Sequence, residues 1–177
     1  DISYRDTRKK IKKIKNIKLR LLGKHNVLNA AAAIIVCLNI GVSQNIVKQS
    51  LKNFSGVQRR MTKIFSKNGN DFYDDYAHHP TEITSILDSV KNVYNERKLI
   101  SVFEPHRYSR VLSLSKNFAK CFSKSDLVLL CPLYAAGEKK TSKFNKIKFA
   151  NLISKMSKTE VILINNQMQL GKFLKKN

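Results

Sequence analysis

The chain has 177 residues and a mass of 20.3 kDa, is 42% apolar, and carries 34 Lys and Arg against 12 Asp and Glu, a net charge of +22. This composition excludes a disordered chain, and the longest apolar run, Ala30 to Leu38, is far shorter than the roughly 20 residues that span a bilayer. Cys37, Cys121 and Cys131 have neither paired nor ligand-like spacing, which argues against a disulfide scaffold or a zinc ribbon and leaves them as small core residues.

The basic excess attracts anions, nucleic acid among them. However, 26 of the 34 cations are Lys and only 8 are Arg, the residue favoured for bidentate phosphate and base-edge contacts. They gather at the two ends: ten in residues 1–24 and ten Lys in residues 139–177. The reading is a solvated surface with no nucleic-acid and no membrane partner. The alternative is a non-catalytic basic module that binds nucleotides or nucleic acid.

In chain order, Lys9 to Lys18 places Ile11, Ile14 and Ile17 among lysines, as in a basic strand or a poorly formed helix. Asn26 is expected to cap a helix running to Asn39, with Val27, Leu28, Ile34, Ile35 and Leu38 inward. Ser43 caps a second helix to about Asn53, with Ile46, Val47 and Leu51 inward. This αα unit has no sheet of its own and reads as the tail of a larger domain. Residues 56–61 read as a linker ending in Arg59-Arg60. From residue 62 the rhythm is strand, loop, helix, repeated. A strand over Asp71–Asp74 precedes a helix opened by Pro80, whose apolar face holds Ile83, Ile86, Leu87, Val90 and Val93. Leu99–Phe103 and Leu127–Cys131 are continuous apolar strands with a helix to about Phe122 between them. A helix near Lys148–Met156, a strand over Val161–Ile164 and a last helix to Leu174 complete the pattern. Apolar strands alternating with helices predict an α/β fold, a doubly wound, mostly parallel sheet covered on both faces.

In such a sheet, ligands bind beyond the carboxyl ends of the strands. Three successive strand ends are rich in functional groups: Asp74 to Pro80, Glu104 to Arg110, and Tyr134 to Glu138. They are expected to lie along one edge. The adjacent His78 and His79 diverge and are a weak metal signal, so no metal site is assigned; His79 reads as a helix cap. His106, Arg107 and Arg110 put cations at a helix start, against its dipole, which points to an anionic partner such as a carboxylate or phosphate. Asn26 and Asn29, three apart, can present two amides on one face, and paired amides suit an adenine edge. Capping alone accounts for Asn26 but not for Asn29. Asp74 and Asp75 read either as a turn or as strand-end carboxylates of the kind that hold a ribose hydroxyl, and Arg59 and Arg60 either as a solvated linker or as cations within reach of phosphate. Tyr134 to Glu138 reads on its own as a turn using Gly137.

Gly23-Lys24-His25-Asn26-Val27-Leu28-Asn29-Ala30, Gly56-Val57-Gln58-Arg59-Arg60, Asp74-Asp75-Tyr76-Ala77-His78-His79-Pro80, Pro105-His106-Arg107-Tyr108-Ser109-Arg110 and Tyr134-Ala135-Ala136-Gly137-Glu138 follow one another in an order that resembles the Mur ligases. The resemblance covers roughly residues 20–140. It implies residues 1–55 as the tail of a central ATP-binding domain, 56–61 as a linker, and 62–177 as a Rossmann-like C-terminal domain truncated at its end. It implies an ATP- and Mg2+-dependent ligase of peptidoglycan precursor synthesis in the bacterial cytoplasm. The Pro105–Arg110 loop narrows this to joining L-alanine to UDP-N-acetylmuramate through an acyl phosphate.

By the same resemblance, Asn26 and Asn29 lie against adenine, Arg59 and Arg60 near the ATP phosphates, and Asp75 at the ribose. His106, Arg107 and Arg110, with Tyr76 and His78 close by, form the alanine side. Arg60, Asp75, His106, Arg107 and Arg110 are the catalytic candidates. The family's UDP-binding domain, Gly-rich phosphate loop and metal-binding Glu and His do not occur in these residues and are expected upstream. The chain reads as a fragment, inactive alone.

Overall fold

The computed structural model describes residues 1–21 and 23–176; Asn177, the expected end of the second domain, lies outside them. The described residues fall into two compact units, Asp1–Tyr76 and the remainder from Ala77.

The first unit opens with an antiparallel hairpin of β1 (Ile2–Arg5) and β2 (Ile11–Ile14). The basic stretch is therefore a strand. Asp6, the lone acid of the turn, organises it: its carboxylate accepts from the backbone N–H of Arg8 and Lys10, both at 2.9 Å, and pairs with Lys12 at 3.0 Å. Ile14 is fully buried while Ile11 is 69% exposed, because residues three apart fall on opposite faces of a strand.

Helix α1 (Lys24–Asn39) starts two residues before the expected Asn26, after Gly23 at φ 96°. Among its apolar residues only Ile34 is buried; Val27, Leu28 and Val36 are exposed, contrary to the inward placement of the first two. Helix α2 (Gln44–Asn53) begins where expected, with the Ser43 hydroxyl accepting from Ile46 N–H at 3.4 Å. Its Val47 is buried and Ile46 is exposed. Ile14, Ile34 and Val47 form the buried centre of this unit.

The strand expected at Asp71–Asp74 is β4 (Asn70–Asp74). It pairs antiparallel with β3 (Thr62–Lys67), which the sequence reading did not separate, and so lies outside the parallel sheet. Asn68 and Gly69, at φ 50° and 75°, turn the hairpin, and Asn-Gly is the pair that a two-residue turn with positive φ favours.

The second unit is the doubly wound part. Its elements are α3 (Pro80–Val93), β5 (Ile100–Phe103), α4 (Tyr108–Ser113), α5 (Ser115–Lys120), β6 (Leu127–Leu130), α6 (Lys146–Ser157), β7 (Glu160–Leu163) and α7 (Gln167–Lys176). The sheet is parallel, in the order β5-β6-β7. Every residue of the central strand β6 is buried, as a sheet covered on both faces requires. Val128 and Leu130 pack on one face with Ile83, Leu87, Phe103, Phe118, Phe149 and Ile153. Leu127 and Leu129 face the other way, with Ile164 and the α7 residues Leu170 and Phe173.

One long helix was expected before Phe122. The structure breaks it at Leu114, at φ −111° and ψ 19°. The Ser113 hydroxyl donates to the Arg110 carbonyl at 3.1 Å, a local competitor of helical bonding. At the entry end of the sheet, Asp126 accepts from Leu99 N–H at 2.7 Å and from Lys91 Nζ at 2.8 Å, joining the starts of β5 and β6 to α3. Cys121 and Cys131 are buried and free, and burial pushes the Cys121 thiol up to about 12, an inert core residue.

Candidate functional site

The predicted site residues divide between the two units. In the first, Asn26 is half-buried and Asn29 exposed in the opening turns of α1. Asn26 does not cap the helix; its own N–H donates to the Gly23 carbonyl at 3.1 Å, and no side chain caps the start. Capping therefore explains neither amide.

Arg59 stands at φ 58°, its guanidinium 4.5 Å from the Tyr76 ring centroid and its Nε 3.5 Å from the Asp74 carboxylate. Tyr76 N–H donates to the Arg59 carbonyl at 2.8 Å. Asp75 Oδ2 accepts from Met61 N–H at 2.8 Å, where Met61 also has positive φ, 48°. The structure thus brings Arg59, Asp74, Asp75 and Tyr76 together at the base of the β3–β4 hairpin. Arg60 is exposed beside them, its N–H on the Val57 carbonyl at 3.2 Å.

In the second unit the loops beyond β5 and β6 are joined by backbone. Cys131 N–H bonds the Phe103 carbonyl, Tyr134 N–H the Pro105 carbonyl and Arg107 N–H the Tyr134 carbonyl, at 2.8 to 2.9 Å. The parallel pairing of the sheet thereby continues past the strands, as a bridge between His106 and Tyr134. Pro105, fully buried, holds the turn. Arg107, at φ 67° and ψ 128°, occupies a conformation that non-glycine residues rarely adopt. Such strain persists only where the surroundings over-determine it, and it gathers at functional sites.

His106 is half-buried, with its ring 5.4 Å from Tyr134 and 6.1 Å from His78. Its Nδ1 lies 3.4 Å from Arg110 Nη1. A guanidinium can only donate, so Nδ1 accepts and the proton of the neutral ring sits on Nε2. Burial first, then the charges of Arg110, Arg107 and His78, hold His106 below the ordinary imidazole value. The neighbouring His79 takes its structural role: Nδ1 accepts from Thr81 N–H at 3.3 Å. Glu82 returns the bond to the N–H groups of His79 and His78, a capping box for α3.

Glu138 completes the arrangement. It accepts from Ser109 N–H at 3.0 Å and from the Ser109 hydroxyl at 2.5 Å. Those two bonds hold its carboxyl below the usual range. The sequence marks this segment as a strand end rich in functional groups but assigns Glu138 no role. Glu138 is the only acid between Asp126 and Glu160, in a lysine-rich stretch, and that isolation was the available signal. Around His106 the charges of Arg110, Arg107 and His78 act against that of Glu104, while Glu138 is bound to Ser109. Arg107, Arg110 and the His106 Nε2–H suit a carboxylate, with Arg able to bind it bidentately. Among the described residues no group of three or more His, Cys, Asp or Glu side chains is placed to hold a metal ion, and no helix is long and apolar enough to cross a membrane.

Comparison with known proteins gives one family model, described as "Mur ligase, glutamate ligase domain", over residues 59–172. A UDP-N-acetylmuramate–L-alanine ligase from Pelagibacter ubique is 51% identical over 162 residues, covering 92% of this chain and 35% of that protein. The crystal structure of a UDP-N-acetylmuramate-alanine ligase from Thermotoga maritima matches with a TM-score of 0.70 and 30% identity, over 88% of this chain and 33% of the other. A murein peptide ligase from Psychrobacter arcticus matches with a TM-score of 0.63 and 27% identity, over 89% and 32%. The chain spans about a third of the length of these relatives.

Proposed function

The chain belongs to the Mur ligase family, and from that premise we propose that it is the C-terminal part of an ATP-dependent ligase joining L-alanine to UDP-N-acetylmuramate. The observation that carries this reading is the cluster of His106, Arg107 and Arg110 beyond the β5 and β6 strand ends, with the Arg110 guanidinium 3.4 Å from the His106 ring.

A carboxylate is a poor electrophile, so the reaction begins with transfer of the ATP γ-phosphoryl group to the sugar's carboxylate. The new C–O–P linkage forms as the bond to ADP breaks. The amine of alanine then attacks the acyl carbon, phosphate leaves, and the nitrogen gives up a proton as the amide forms. This chain's contribution is binding and positioning. Arg107 and Arg110 hold the alanine carboxylate, His106 donates through Nε2, and His78 completes the amino-acid side in this unit. A neutral His106 adds no further positive charge to that of the two guanidiniums.

Under this reading Asn26 and Asn29 meet the adenine edge, Arg59 and Arg60 the phosphates, and Asp75 the ribose. By the family resemblance we place the Mg2+ ligands and the phosphate loop in the rest of the ligase, where the ion would neutralise phosphate charge. The proposed division is 1–55 as the tail of the ATP-binding domain, 56–61 as linker and 62–177 as the C-terminal domain.

The test is steady-state kinetics of the complete ligase carrying this chain. Arg110→Ala is expected to raise KM for L-alanine by about tenfold or more, the loss of one charge-assisted contact, with KM for ATP unchanged. An equal change in both constants, or alanine-independent phosphate release by the unaltered enzyme, refutes the assignment.

A further inference from the structure

We propose that Glu138 is a positioning residue for the amino-acid side of the site: its carboxylate, clamped on Ser109, fixes the first turn of α4 so that His106, Arg107 and Arg110 face a single carboxylate. The inference rests on the function proposed above and deepens it.

Glu138 and Ser109 are 29 positions apart, on the loops that follow neighbouring strands. The backbone bonds between these loops end at Arg107. Beyond that point the chain turns through the strained Arg107 into α4, a helix of six residues whose start has no side-chain cap of its own. Cations at positions 107 and 110 oppose the helix dipole. Left to itself, this turn has every reason to relax. Glu138 removes three of those reasons at once. It satisfies an orphan N–H of the first turn, places a negative charge at the positive end of the helix, and anchors the Ser109 hydroxyl. Arg107 and Arg110 flank Ser109 on either side in sequence. Fixing Ser109 therefore fixes the directions from which both guanidiniums leave the backbone, and Arg110 in turn sets the His106 ring.

Glu138 is also spent by this clamp. A carboxylate free to swing into the arginines would compete with the substrate's carboxylate. Bound twice by Ser109, it balances their charge without occupying their donors.

The experiment has two arms. In the 177-residue chain, Glu138→Ala should leave the dispersion of the 1H–15N spectrum intact and move the Ser109, Arg107 and His106 resonances; unchanged resonances at all three overturn the clamp. In the complete ligase, Glu138→Ala should raise KM for L-alanine about tenfold, with kcat within about threefold and KM for ATP unchanged. Ser109→Ala, which keeps the backbone bond, should raise it less, by about threefold. A merely structural residue would move the constants for ATP and alanine together, and that outcome overturns the proposal. If Glu138→Ala does not fold, Glu138→Gln, which retains one acceptor, carries the same test with an intermediate shift expected. An active ligase whose Glu138 variants keep the alanine constant refutes the clamp's role alone. A ligase that does not use alanine refutes the functional reading as well.

Discussion

The two units of the chain solve the problem of burial differently. The unit from Ala77 encloses a parallel sheet between helices, with Phe118, Phe122, Val128, Leu129, Leu130 and Ile153 shielded almost completely from solvent. The unit before it has, among the described residues, a cluster of three buried side chains at its centre and leaves Val36 of α1 59% and Leu28 61% exposed. The first kind of unit carries its stability in its interior. The second relies more on hairpins, caps and half-covered helix faces, and its apolar stripe is uncovered among the described residues. This contrast has consequences that can be measured.

The largest effect is expected at Phe118. It touches Phe103 and Phe149 at ring separations of 5.6 and 6.4 Å, so Phe118→Ala opens a cavity between two rings. A loss of about 3–5 kcal/mol is expected, visible as a drop in the thermal midpoint. Hydrogen exchange read by peptide mass should show the loss confined to residues after 77; equal loss in both units would end the contrast. Ile34→Ala removes a fully buried side chain from the thinner unit. The expected cost is about 2–3 kcal/mol, with exchange rising in α1, α2 and β2 only.

Asp126→Asn tests a polar tie in the denser unit. The carboxylate is held below its usual range, chiefly by Lys91 and the Leu99 N–H. A carboxyl depressed on folding stabilises above its ordinary titration range, and that contribution disappears as pH falls through the lower, folded value. The partly exposed pair is worth about 1 kcal/mol at neutral pH. Urea midpoints of Asp126→Asn and the parent should differ at pH 7 and converge in strong acid; a constant difference would remove the ionic explanation. The smallest effect is expected at Val36, where Val36→Lys should alter the stability of this chain by less than about 0.5 kcal/mol. A clear loss there would show that the α1 stripe is covered after all.

What the sequence made legible followed the range of the interactions involved. Helices α2 and α3 could be placed because their caps, Ser43 and the His79–Glu82 box, lie within four residues of what they bind. Strand β6 was plain because a strand buried on both faces must be apolar throughout. The β3–β4 hairpin was missed although Asn68-Gly69 marks it, since both of its faces are largely solvated and Thr62–Lys67 shows no clean alternation. The break at Leu114 has no Pro or Gly to announce it. At the site, residue types alone raised the expectation of an anionic partner for His106, Arg107 and Arg110. The Glu138–Ser109 bond was hidden, because a bond across 29 positions exists only once two strands have been laid side by side.

The three-stranded sheet also bears on how the molecule behaves in concentrated solution. Its outer strands, β5 and β7, each present one backbone edge to which no strand of that sheet is bonded, and Val102 of β5 is 48% exposed. Open edges of this kind invite another molecule to add on. The net charge of +22 opposes that by repulsion between copies. The lysines at the two ends thus act as a colloidal stabiliser whose range is set by the buffer. Raising ionic strength from 0.01 M to 1 M shortens that range from about 30 Å to about 3 Å, and light scattering should rise with it.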